Sequence, residues 1–331
     1  MKAAWYDRRG PAREVLEIGD LPKPEARAGE VLVRVHATGV NPSDTKSRQG
    51  GGTRSNPFPR VVPHQDGAGI IEAVGPGVDA GRVGERVWVY EAQLGRPFGC
   101  AAEYTAVPSI NAVSLPDAVS YEEGACLGVP ALTAHYSVMA DGPVAGQVVL
   151  VTGGSGAVSF YAIQFARLAG ATVITTVRTR EQADVARQAG ADHILYRLDD
   201  DIVARIAEIT GVPDGRAVDR IVDVAFGANL ETSLKVLKPN GVIASYASDQ
   251  VPVPALPFWP LVGLNATLRC VLVYAMSRKA HDQAIAAVTQ ALLAGTLKHN
   301  IAMRYRLDQI VQAHEMLESG SAIGKVMLAV D

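Results

Sequence analysis

Residues 148–170 read VVLVTGGSGAVSFYAIQFARLAG, a strand, a glycine-rich turn and a helix in succession. Val148, Val149, Leu150 and Val151 form an unbroken apolar run, the pattern of a parallel strand buried on both faces. Gly153, Gly154 and Gly156 follow; lacking a Cβ, they let the main chain turn sharply and let a ligand come against it. After the turn, Val158, Tyr161, Phe165 and Leu168 recur at helical spacing, and Gly170 is placed to end the helix. The free N–H groups at the start of such a helix favour an anion, so Gly153, Ser155, Gly156, Ala157 and Val158 are the expected cradle of a pyrophosphate. A glycine pattern alone also describes an ordinary tight turn in a parallel sheet. A second strand, Ala171–Val177, at the distance a βαβ unit requires, moves the reading to a dinucleotide site. The third small position is Ser159, not glycine, which is expected to relax helix–strand packing a little.

Working outward, strands are expected at His193–Tyr196, Arg220–Ala225, Val242–Ala247 and Leu268–Tyr274, with helices at Glu181–Ala189, Asp200–Ile209 and Asn229–Leu237 between them. Six strands with crossover helices describe a doubly wound parallel sheet of the α/β class. Upstream, Glu122–Met139 has helical spacing broken at Pro130. Before it the chain alternates short strand-like segments with Gly/Pro turns: Lys2–Tyr6, Glu30–Val40, Gly67–Val74, Glu85–Tyr90 and Ala101–Val107. That is a compact β domain, in which His36 reads as a surface or satisfied strand histidine. Val251–Pro260, with four prolines, reads as a stiff extended loop. The last stretch gives a long helix Arg278–Ala294, a shorter one Asp308–Glu318 and a strand Lys325–Val330, expected to pack back on the N-terminal domain. The expected division is therefore 1–122 completed by 276–331, and 123–275.

At 331 residues, with nearly half of them hydrophobic and a fifth charged, the chain can fill two globular cores. A net charge of −3 gives no electrostatic case for nucleic acid or an anionic membrane. No apolar run reaches bilayer-spanning length and MKAAWYDRR lacks the apolar core of a signal peptide, so a cytoplasmic location is expected. Cys100, Cys126 and Cys270 are isolated and read as buried free thiols, and no cluster of four cysteines could hold a structural zinc.

Several stretches carry a resemblance: Thr38-Gly-Val-Asn-Pro-Ser-Asp44, Asp66-Gly-Ala-Gly-Ile-Ile-Glu-Ala-Val-Gly75, Gly84-Glu-Arg-Val87, Gly124-Ala-Cys-Leu-Gly-Val-Pro-Ala-Leu-Thr-Ala134 and Gly324-Lys-Val-Met-Leu328. With the glycine turn, their order and spacing resemble the zinc-independent quinone oxidoreductases of the medium-chain dehydrogenase/reductase superfamily, over the whole chain. The resemblance implies a GroES-like catalytic domain, a Rossmann domain and a cleft between them, with hydride passing from NADPH to a bound acceptor. In the zinc alcohol dehydrogenases a catalytic metal is held by Cys, His and Cys; the matching positions here are Asn41, Gln65 and Val129, and His64 stands one residue away. Without a Lewis acid to generate an alkoxide, alcohol oxidation is disfavoured, whereas a quinone or enone needs only oriented hydride delivery and a proton.

The same resemblance supplies candidate site residues. Asn41 is placed to donate an amide hydrogen bond near the nicotinamide or the acceptor carbonyl; a turn cap before Pro42 is the competing reading. Ser43 stands where alcohol dehydrogenases carry a proton-relay hydroxyl, the alternative being a buried serine bonded to backbone. Lys46 replaces a tyrosine that lines the acceptor site in zeta-crystallin. Thr133 is implied near the nicotinamide, or is a helix residue bonding its own backbone. Asn229 and Ser245 are implied cofactor contacts. Where NAD-specific folds end the second strand on an acid, this chain has Val177 followed by Arg178 and Arg180, which favours a 2′-phosphate and hence NADPH. Tyr196 matches a residue flanking that phosphate. An apolar Val271-Leu-Val273 edge is consistent with the homodimer of relatives. The activities implied are quinone reduction, then enoyl or 2-alkenal reduction, and, because fold does not fix function, a non-catalytic NADPH-binding role.

Overall fold

The computed structural model describes residues 1–51 and 57–330. Two compact units form: Met1–Val129 with Val288–Asp331, and Pro130–Ala287. In chain order the first unit opens with β1 (Lys2–Trp5), α1 (Ala12–Val15), β2 (Glu17–Asp20), β3 (Glu30–Val40), α2 (Pro42–Gln49), β4 (Asp66–Val74), β5 (Arg86–Val89), β6 (Tyr104–Pro108), β7 (Ala112–Ser114) and α3 (Tyr121–Gly124). There follow α4 (Gly128–Met139), β8 (Val148–Val151), α5 (Ala157–Leu168), β9 (Thr172–Val177), α6 (Arg180–Ala189), β10 (His193–Tyr196), α7 (Ile202–Thr210), β11 (Val218–Asp223), α8 (Phe226–Val236), β12 (Leu237–Ser245), α9 (Phe258–Gly263), β13 (Thr267–Cys270) and α10 (Arg278–Leu293). The chain ends with β14 (Ile301–Arg306), α11 (Ile310–Glu318) and β15 (Lys325–Ala329).

In the first unit the sheet order is β14-β15-β3-β4-β5-β7, with β6 also on β3. β3 is the spine, because its eleven residues are long enough to take β4, β6 and β15 along different parts of their length. Its buried Val31, Val33, Val35 and Val40 pack with Ile71, Val87, Val89, Val326 and Leu328, and Ile310 and Ala313 of α11 close the core. At about 1.5–3 kcal/mol per fully buried large aliphatic side chain, this cluster is what commits the C-terminal segment to the N-terminal strands.

The second unit is a six-stranded parallel sheet ordered β10-β9-β8-β11-β12-β13. Register aligns Ile174, Leu150, Ile221 and Ile243 across four strands. Those four join Phe226, Leu230 and Ile206 from the helices in one core cluster. The order reverses between β8 and β11, and that switch point is where a parallel α/β sheet leaves a crevice at its strand C-termini.

Five expectations need correction. Pro130 does not break the helix: the break falls at 125–127, and Pro130 sits in the first turn of α4, where its missing N–H costs nothing. Leu168, placed by spacing on the core face, is 54 % exposed at the C-terminal end of α5. The 251–260 segment is not extended throughout, since α9 begins at Phe258. β13 stops at Cys270, so Val271 and Val273 are not an open edge; both are buried and a 3-10 turn follows at Val273–Ala275. Cys100 and Cys126 are buried, but Cys270 is exposed. His36 is half-buried and stacks on Tyr121, 4.5 Å between ring centres. α2 is a helix the sequence reading lacked: its polar sequence gives no apolar period, and its N-terminus is set by the Asn41 N–H donating 2.8 Å to the Asp44 carboxylate.

Candidate active site

In the second unit the turn after β8 is shaped by Gly153, whose φ of +64° a side-chain-bearing residue rarely adopts. Its N–H and that of Gly154 are spent on Thr176, and the Gly156 N–H returns to the Gly153 carbonyl at 2.9 Å. The N–H groups of Ser155, Ala157 and Val158 have no partner among the described residues. They form the open N-terminus of the twelve-residue α5. A Cβ on Gly156 would meet nothing closer than the Gly153 carbonyl at 3.4 Å, so the protein does not crowd that face of the turn. Ser159 is fully buried and donates 2.9 Å to the Thr152 carbonyl, tying the helix back to β8 where a glycine could only pack.

At the end of β9, Arg178 and Arg180 are both exposed, and the Arg178 guanidinium makes no ion pair among the described residues. Tyr196 lies beside Val177 in register on β10, and the Arg197 N–H donates to the Val177 carbonyl at 2.8 Å. Sheet pairing thus brings Tyr196 and Arg197 to the strand end that carries Arg178. A cavity of about 290 Å³ opens there, lined by Thr152, Thr176, Arg197, Asp200, Asn229 and Thr232 among others.

The switch point itself is held by Asp223 at the end of β11. Its Oδ1 accepts from Thr152 Oγ1 at 2.8 Å, the Ala225 N–H at 2.9 Å and Asn229 Nδ2 at 2.8 Å, while its buried Oδ2 has no partner among the described residues. Asn229 is therefore oriented by Asp223. Ser245 donates to the Asp223 carbonyl at 3.0 Å and is 8 % exposed. Thr133 is buried in α4, its carbonyl taken by the Ser137 hydroxyl at 2.8 Å.

The first unit holds Asn41 at the N-cap of α2, with Ser43 and Lys46, both half-buried, on the same helix. Asn41 is 2 % exposed, and its side chain belongs to a centre the sequence reading missed. Asn41 Nδ2 donates 2.7 Å to Asp66 Oδ2; Lys325 Nζ donates 2.5 Å to Asn41 Oδ1 and 3.1 Å to Asp66 Oδ2; the Val129 N–H donates 2.9 Å to Asp66 Oδ1. Asp66 and Lys325 stood in quoted motifs, Asp66-Gly-Ala-Gly and Gly324-Lys-Val, but 259 residues separate them, and spacing carries no signal over that distance.

A buried polar chain adjoins it. Thr38 Oγ1 donates 2.7 Å to the Asp66 carbonyl and lies 3.1 Å from His64 Nδ1; His64 Nε2 is 2.9 Å from His314 Nε2; Arg48 Nε donates 3.3 Å to His314 Nδ1 and pairs with Glu318. With Thr38 donating to a carbonyl at one end and Arg48 donating at the other, one proton arrangement satisfies every link: Nδ1–H on His64 and Nε2–H on His314, both rings neutral. Burial pushes His64 down to about 3, helped by the nearby Lys325 ammonium, and pushes His314 well below its ordinary range. Burial likewise raises the Cys126 thiol to about 12 and Cys100 well above the usual range, so neither is a nucleophile at neutral pH.

A larger groove in this unit, about 880 Å³ and lined by Phe58, Phe98 and Pro97, contains no candidate residue; its Arg96 and Glu30 are paired with each other.

Two family matches cover most of the chain: the alcohol dehydrogenase GroES-like domain over residues 27–117 and the zinc-binding dehydrogenase family over 157–290. The latter name implies zinc, and the residues present do not fit it. Asn41 is committed to Lys325 and Asp66, and Gln65 is committed to Gln93 through both ends of its amide. Val129 has no donor atom, and no group of three His, Cys, Asp or Glu suited to a metal occurs among the described residues. The chain is 30 % identical over 329 residues to the quinone oxidoreductase of Homo sapiens, covering 98 % of this chain and 95 % of that one. It is 29 % identical over 341 residues to a 2-haloacrylate reductase of Burkholderia sp, covering 99 % and 98 %. The solved Escherichia coli quinone oxidoreductase complexed with NADPH superposes with a TM-score of 0.87 at 26 % identity, covering both chains fully. No helix among the described residues is long and apolar enough to cross a membrane. On this fold, these two sites and these relatives, the chain is an oxidoreductase that belongs to the quinone oxidoreductase family of the medium-chain dehydrogenase/reductase superfamily.

Proposed function

We propose that the chain is an NADPH-dependent, metal-free reductase that delivers hydride to quinones or related electrophilic carbonyls. The observation that carries the reading is the end of β9. Val177 offers no acid to a ribose hydroxyl, and Arg178, without an ion pair among the described residues, stands at the strand end to which pairing brings Tyr196 and Arg197, the charge a 2′-phosphate monoester needs. The free N–H groups of Ser155, Ala157 and Val158 bind the pyrophosphate, and the open face of Gly156 lets it approach. NADPH, when bound, supplies the hydride. The protein's part is to hold a carbonyl oxygen by hydrogen bonding, for which Asn41 is the candidate donor, with Ser43 and Lys46 as further candidates in the first unit and Thr133 as a candidate nicotinamide contact in the second. Similarity to a quinone oxidoreductase complexed with NADPH supports the cofactor, and similarity to human quinone oxidoreductase supports the acceptor class.

A second reading, reduction of a polarised C=C bond, is favoured by the likeness to a 2-haloacrylate reductase. The test is NADPH consumption by chelator-treated protein, with NADH as control, against quinones, 2-alkenals, 2-haloacrylate and enoyl thioesters. Chelator-indifferent turnover on quinones with a preference for NADPH is expected; turnover confined to the alkenes transfers the assignment, and NADPH binding without turnover leaves a non-catalytic role. A homodimer is part of the proposal, because β13 is an edge strand pairing only with β12 among the described residues. Light scattering at twice the chain mass is the expected result, and a monomer would refute it.

A further inference from the structure

We propose that Lys325 is a positioning residue for the reduction: its ammonium, with Asp66, sets the carboxamide of Asn41 in a single orientation. The inference rests on the reductase reading and names the device behind the Asn41 donor. Lys325 and Asp66 are 3 % and 0 % exposed along their side chains, and taking two such charges out of water costs more than their attraction reliably returns. Stability alone therefore does not explain the pair. The backbone nevertheless makes room for it on both sides. A Cβ on Gly39 would stand 2.4 Å from Lys325 Cε and 2.5 Å from the Ala125 carbonyl, and one on Gly128 would stand 2.1 Å from Asp66 Oδ1. Two glycines thus shape the space that the two charges fill.

The consequence falls on Asn41. With Oδ1 against an ammonium and Nδ2 against a carboxylate, turning the amide over would set N–H against N–H⁺ and oxygen against oxygen. One orientation survives. In it, one Nδ2 hydrogen is spent on Asp66 and the other has no partner among the described residues, leaving a fixed donor for a carbonyl oxygen of the acceptor or of the nicotinamide amide. A donor fixed before the reaction needs no reorganisation when charge develops on that oxygen.

Lys325→Met alone strands a buried carboxylate and risks the fold, so the working variant is the uncharged pair D66N/K325M, compared with Asn41→Ala and with the triple variant. Thermal stability, NADPH affinity and steady-state quinone kinetics are measured on each. The expected result is D66N/K325M with Tm near wild type, NADPH affinity within about threefold, and kcat lowered about 10–100-fold, the loss that misplacing one donor produces. In the Asn41→Ala background, removing the charges costs no further kcat. Full activity in folded D66N/K325M, or losses that multiply in the triple variant, overturns the proposal: the first makes the pair structural, the second makes it act without Asn41. Should the wild type reduce no acceptor, the reductase reading fails separately. The orientation is then judged on the Asn41 side-chain amide by nitrogen-15 NMR. Two distinct, exchange-protected protons that lose protection in D66N/K325M uphold it, and a signal indifferent to the substitution refutes it.

Discussion

Protonation of the buried histidines makes the first unit lose stability in mild acid, and His64 sets the size of the effect. His64 is fully buried and held neutral with a pKa near 3, against about 6.5 for an exposed imidazole. A folded-state pKa below the unfolded one means that the unfolded chain takes up the proton first. Its contribution is therefore intact above pH 6.5 and is lost as pH falls from 6.5 toward 3. At pH 5 the unfolded imidazole is protonated about thirtyfold in excess and the folded one hardly at all, which is about 2 kcal/mol. The figure depends little on the folded value once that lies below about 4. The groups facing His64 agree in sign: the Lys325 ammonium, and His314 backed by Arg48, all disfavour a positive ring. The test is His64→Asn, because asparagine tolerates the backbone φ of +79° at this position. The variant is expected to be less stable than wild type at pH 8, where it loses ring hydrogen bonds. The gap should narrow by about 2 kcal/mol at pH 5, or about 4–8 °C in calorimetric Tm for a unit of this size. A gap that stays constant between pH 8 and pH 5 would mean that His64 is charged in the folded chain, and the neutral arrangement Thr38–His64–His314–Arg48 would be wrong. His135 and His299, each pushed by burial to about 4, add to the acid sensitivity of wild type in the same direction.

Arg178→Ala is expected to raise KM for NADPH about 10–100-fold, the worth of a charge-assisted hydrogen bond, and to leave that for NADH nearly unchanged; equal effects on both cofactors would remove the 2′-phosphate assignment. Gly156→Ala should leave Tm within about 2 °C, since its Cβ finds only ordinary contacts, yet weaken NADPH binding about tenfold or more by filling the cradle. Unaltered binding in isothermal titration would place the pyrophosphate elsewhere. Asp141→Asn should destabilise the second unit by about 3–5 kcal/mol. Asp141 bonds both Arg220, 3 % exposed, and Arg269, so the change strands a buried guanidinium. An unchanged urea midpoint would show that Arg220 finds another partner.

The parallel sheet was legible because its information is local. Apolar runs such as 148–151, glycines at the turn and helix periods such as 180–189 each report on neighbours a few residues apart, and the strands fall within a few residues of expectation. Misreadings occurred where a boundary is decided from outside the segment. β13 ends at Cys270, beyond which Val271 and Val273 are buried while Leu272 is exposed, and α2 exists because Asp44 caps a helix with no apolar face.

For the candidate site, the sequence alone supplied the glycine turn after β8 and the arginines after β9, while the positions that would match a catalytic zinc came from the family resemblance. The turn and the arginines are properties of residue type at short spacing, which a linear reading can test. Tertiary structure decided what those residues are joined to. Sheet pairing brings Tyr196 and Arg197 to the strand end that carries Arg178, Asn229 is oriented by Asp223, and Asn41 is oriented by a lysine 284 residues away. A buried charge declares its purpose only with its partner, and the partner is chosen by packing of the whole chain.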